Sequence, residues 1–142
     1  MLNVRIDTIG IAGTENVQLR FDLADAELQA VARSVETVAR ERYQNVALDA
    51  LTVLDLRELT AVHDVALERA RDGYAGGTLV IWLPRLGVLI AALAEWCERR
   101  LSAGFLRHEE HVDLPLVEAL IPELRELHAR GLRASLAETA LA

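Results

Sequence analysis

Apolar and polar residues alternate at the start of the chain. Leu2, Val4 and Ile6 are apolar while Asn3, Arg5 and Asp7 are polar, the two-residue period of a strand with one face buried. The run "AGTEN" (Ala12–Asn16) supplies turn residues. Alternation then resumes in "VQLRF", with Val17, Leu19 and Phe21 on one side. Two such runs around a glycine-containing loop predict a β-hairpin.

From about Ala24 the period lengthens to 3.6. Leu28, Val31, Ala32, Val35, Val38 and Ala39 fall on one stripe, with Arg33, Glu36, Arg40 and Glu41 on the other side; this predicts a helix to about Tyr43. The acids Asp22, Asp25 and Glu27 crowd its start, where the helix dipole favours them. Leu48–Leu54 reads as a short buried strand. Asp55 with Glu58 three residues on is close to a capping box. It opens a helix with Leu56, Leu59, Val62, Ala66 and Ala70 on one face, stopped at Gly73. Thr78–Leu83 is a β-branched and aromatic run that reads as a strand, and Pro84 suits the first turn of the helix after it. That helix is expected to bury Leu86, Leu89, Ile90, Leu93, Trp96, Cys97 and Leu101 and to end at Arg99, Arg100 and Gly104.

The stretch "RHEEHVD" (Arg107–Asp113) then reads as a solvated connector, with Asp113 capping a further helix that has Pro115 in its first turn. Pro122 predicts a kink or the meeting of two short helices. Gly131 is the expected stop, and an alanine-rich tail follows. The order is β-β-α-(β)-α-β-α-α, a helix-rich α+β fold in one domain of 142 residues, with an N-terminal β-hairpin and four to five helices packed on it. If Leu48–Leu54 and Thr78–Leu83 are both strands, the hairpin extends to a four-stranded mixed sheet. If neither is, the chain is a helical bundle carrying a hairpin.

Composition narrows the function more than it changes the fold. The net charge is −7, lysine is absent, and all fifteen cations are arginines scattered among acids. A chain without a basic face lacks the field that binds nucleic acid or an anionic membrane surface. Thr78–Trp96 is long and apolar enough to test as a membrane span, but Pro84, Arg85 and Gly87 sit near its middle, and an arginine there is costly. Cys97 is the single cysteine, so no internal disulfide forms. The first ten residues lack the apolar core of a signal peptide, which makes the cytoplasm the expected compartment.

Four arrangements are candidates for chemistry. His108 and His111 bracket two glutamates, but their spacing matches neither H-E-x-x-H nor H-x-x-E-H. A metal site there competes with the plainer solvated connector, which the spacing favours. The glycines of "GYAGG" (Gly73–Gly77) run from a helix into a strand, the wrong direction for a phosphate loop. Arg57 and Arg85 lie near the ends of the two doubtful strands, where open sheets bind small anions. Cys97 falls on an apolar stripe, where a thiol is inert. No catalytic residue and no cofactor are implied. The strongest signal is an apolar surplus: the helix after Pro84 carries Val88, Ala91 and Ala92 outside its core stripe. Such a face is expected to pack against a partner, most simply a second copy. The expectation is a self-associating interaction module of regulatory or assembly type; the alternative is a ligand- or metal-binding, enzyme-like domain.

Overall fold

A computed structural model of the chain describes residues 4–8, 17–43 and 77–141. Strand β1 (Val4–Thr8) pairs with β2 (Val17–Leu23), and β2 pairs with β3 (Gly77–Trp82), both antiparallel, in the order β1-β2-β3. The inner face of the sheet is built in rows across the three strands. Val4, Phe21 and Leu79 form one row, and Ile6, Leu19 and Ile81 the next. Val17, Leu19, Phe21 and Leu23 are buried, as the alternation requires. The expected hairpin and the strand before Pro84 are therefore present. Among the described residues the sheet has three strands and is wholly antiparallel rather than mixed. The run Leu48–Leu54 and the helix expected from Asp55 lie outside the described residues.

Among the described residues three helices pack on one another, α1 (Asp25–Tyr43), α2 (Leu83–Ser102) and α3 (His108–Leu141), and α2 and α3 also lie against the sheet. The first begins as its acids suggest. The backbone N–H of Ala24 donates to the Glu27 carboxylate at 2.9 Å, the returning half of a capping box. At the start of α2, Trp82 has extended backbone (φ −73°, ψ 147°) and Pro84 stands in the first turn; a strand feeds directly into a helix where proline's missing N–H is not needed. The stretch Thr78–Trp96 is thus split between β3 and α2, and no described helix is long and apolar enough to cross a membrane. Leu28, Val31, Val35 and Val38 of α1, Leu86, Leu89, Leu93 and Trp96 of α2, and Val117, Leu120, Leu124 and Leu127 of α3 close one core with the sheet.

The last helix departs most from the sequence reading. "RHEEHVD" is not the connector; the joint is Ala103–Arg107, and α3 has already begun at His108. The Arg107 backbone N–H donates to Glu110 at 2.9 Å, and the His111 N–H closes the first turn on the Arg107 carbonyl at 3.1 Å. Arg107 is therefore the cap, and Glu110 reaches back to it as Glu27 does to Ala24. Asp113 is no cap but an interior residue, 2% exposed. The helix also runs through Pro115 and Pro122 without a break, for 34 residues in all. The prolines are seven apart and both exposed, so they share one outer face. The carbonyls of His111 and Glu118 that lose their partners are left where water reaches them. Gly131 does not stop the helix either. It is buried, and a Cβ there would lie 2.7 Å from Leu83 Cδ1; glycine lets α3 pass the start of α2 closely.

Candidate functional site

The second half of α1, from Arg33 on, meets the end of α2 and the start of α3 in a set of ion pairs. On α1, Arg33 presents both edges of its guanidinium fork to Asp113 of α3. Nε donates to Oδ2 and Nη2 to Oδ1, each at 2.7 Å. The Asp113 hydrogen bond, outweighing the cost of burial, raises the Arg33 pKa further above its ordinary value. On α2, Arg100 donates to Glu41 of α1 at 2.9 Å and to Glu110 of α3 at 2.7 Å, with its guanidinium carbon 5.9 Å from the Trp96 ring centre. Burial works against the charge on Arg100 and the two carboxylates more than restore it. Burial likewise opposes the Glu110 carboxylate, but the Arg107 N–H and Arg100 hold its pKa below the ordinary value. Arg99 adds bonds to Glu41 and to Glu95.

Arg33, Glu41, Arg100, Glu110 and Asp113 line, with Arg107 and Glu109, a cleft of about 480 Å³ between α1, α2 and α3. Its arginines and acids are largely turned on each other, a lattice that fixes how three helices meet. Sequence reasoning placed Arg33, Arg40 and Glu41 on a polar outer face and missed the lattice. One signal was available. Asp113 continues the stripe of Val117, Leu120, Ile121 and Leu124 by one turn, and an acid on an apolar stripe needs a cation.

The expected site residues are spread out. His108 and His111 are both exposed on the first turn of α3. Among the described residues no three His, Cys, Asp or Glu side chains converge as a metal site requires. Arg85 is exposed in the first turn of α2, and Arg57 lies outside the described residues. His128 sits in the interior of α3; it is half-buried, and a Cβ on Gly87 would lie 3.4 Å from its Nε2. Cys97 is buried, and desolvation, with a smaller push from Glu118, drives its thiol up to about 11. At neutral pH it is a protonated thiol and a poor nucleophile.

Of the expected interface residues, Ala91 is exposed and Val88 half-buried, but Ala92 is 1% exposed and belongs to the chain's own core. The more open apolar side chains lie further along. Leu101, expected in the core, is 64% exposed, and Phe105 in the joint is 82% exposed. Beside Leu101 an open groove of about 430 Å³ runs between α2 and α3. Ala94, Cys97 and Leu101 line it from one side and Ile121 and Pro122 from the other, with Glu98, Glu118 and Arg125 at its rim. Comparison of the chain with protein-family models, curated proteins and solved structures found no match.

Proposed function

We propose that the chain is a small cytoplasmic interaction module, regulatory or assembly in kind, that works as a self-associated pair. The observation that carries this reading is the exposure of Leu101 and Phe105 at the α2–α3 joint, next to an apolar groove. Each leaves apolar surface in water at a cost of roughly 25 cal/mol per Å². An exposed aromatic beside an apolar cleft is the composition of an interface centre. The polar groups nearby support the same reading, because the arginines and acids of the lattice hold one another rather than facing outward as a site would. The joint is thereby fixed before any partner arrives, which lowers the ordering cost of association.

The test is light scattering on the pure full chain over a range of concentrations. A mass of two chains that falls toward one on dilution is expected. A single-chain mass at every concentration contradicts the reading.

A further inference from the structure

The α2–α3 joint offers a protrusion and a recess side by side. The protrusion is Phe105, followed two residues later by Arg107, an exposed residue that borders the α1–α2–α3 cleft near Glu109 and Glu110 and makes no close ion pair among the described residues. The recess is the groove floored by Cys97 and Ile121, both under a tenth exposed, and bordered by Leu101. Two of its three rim charges are acids, Glu98 and Glu118, and neither has an ion-pair partner among the described residues. An aromatic with a cation beside it and an apolar recess with an acidic rim are complementary. Both lie on the same chain, and a two-fold axis presents each to the other's counterpart.

Resting on the self-association proposed above, we infer that Phe105 of each copy seats in the α2–α3 groove of the other. Arg107 meets Glu98 and Glu118 at the rim. The occupant fits the recess chemically. The groove is shallow and open, about 430 Å³, and its floor of Cys97 and Ile121 has no charged group to desolvate. An acidic peptide would meet repulsion at Glu98 and Glu118, and an aliphatic small molecule would leave both carboxylates unanswered. A second copy supplies the ring and the cation together. The exchange also buries Phe105 and Leu101, the two most open apolar side chains of the joint.

Sedimentation equilibrium on the full chain tests this. Phe105→Ala removes an exposed side chain, so the variant folds, which an unchanged thermal melt at high dilution checks. It is expected to weaken the pair about thirtyfold or more, as loss of a central aromatic does. Arg107→Glu alone, and Glu98→Arg with Glu118→Arg, are each expected to weaken it by several-fold. Combining all three charge reversals restores it. If the natural chain pairs but Phe105→Ala pairs equally well and the reversals show no rescue, this seating is wrong and self-association uses another face. If the natural chain is a monomer throughout, both this inference and the reading beneath it fall.

Discussion

Asp113 and Arg33 carry unequal risk although they share one interaction. Asp113 is 2% exposed, whereas the Arg33 side chain is 42% exposed. Removing the arginine strands a carboxylate in the core; removing the acid frees a cation that reaches water. Arg33→Ala is therefore expected to cost about 3–5 kcal/mol, as breaking a buried pair does. Asp113→Asn, which keeps the shape, is expected to cost about 1.5–3 kcal/mol. Urea unfolding measures both, and equal small losses for the two would contradict the asymmetry. Two glycines make a second contrast. At Gly104 a Cβ meets nothing within 4 Å, while at Gly131 it meets Leu83 Cδ1 at 2.7 Å and Leu19 Cδ1 at 3.6 Å. Gly104→Ala is expected to leave stability unchanged or raise it by about 0.4–1 kcal/mol. Gly131→Ala gains about 1 kcal/mol of helix propensity but crowds two buried leucines, at about 1–3 kcal/mol. The net expectation is a loss, read from the same unfolding curves.

The elements differ in how much of them the sequence shows. Alternation in β2 and the 3.6 period in α1 locate those elements because each has one buried face, so burial and period coincide. In α3 they do not coincide with the punctuation. Pro115, Pro122 and Gly131 are the residues that normally break a helix, yet all three lie within it. The prolines stand on the wet side, and the glycine stands where a helix must pass close by. Tertiary position decided each outcome, and no local pattern reports tertiary position. The same cause hid the polar lattice: Arg33, Glu41, Arg100 and Glu110 are surface-like residues on their own helices and become partly buried only where the three helices come together. Pro122 supplies a test at this scale. Pro122→Ala returns an N–H to the Glu118 carbonyl on an exposed face and is expected to stabilise the chain by about 1–3 kcal/mol. A loss of stability in thermal unfolding would show that the proline is required by the bend or packing of α3.

At the scale of the molecule, pH acts through two groups with opposite signs. The Glu110 carboxyl is held below its ordinary value of 4.5 in the folded chain, so the unfolded chain binds the proton more readily. Its contribution is complete above that value and is lost as the pH falls through the lower, folded one. Glu110→Gln is expected to flatten the acid side of the stability profile. Cys97 is raised from 9.0 to about 11, so the folded chain holds the proton longer. Stability from this group is full below pH 9.0 and declines between the two values, and the folded chain should react only slowly with a thiol reagent at neutral pH, because little thiolate is present. Around this frame the α2–α3 joint leaves Leu101 and Phe105 open to water. The most direct measurement is sedimentation equilibrium of the unaltered full chain from low to high micromolar concentration. The account predicts a reversible monomer–dimer equilibrium within that range. A single ideal species of one-chain mass at every concentration would contradict it.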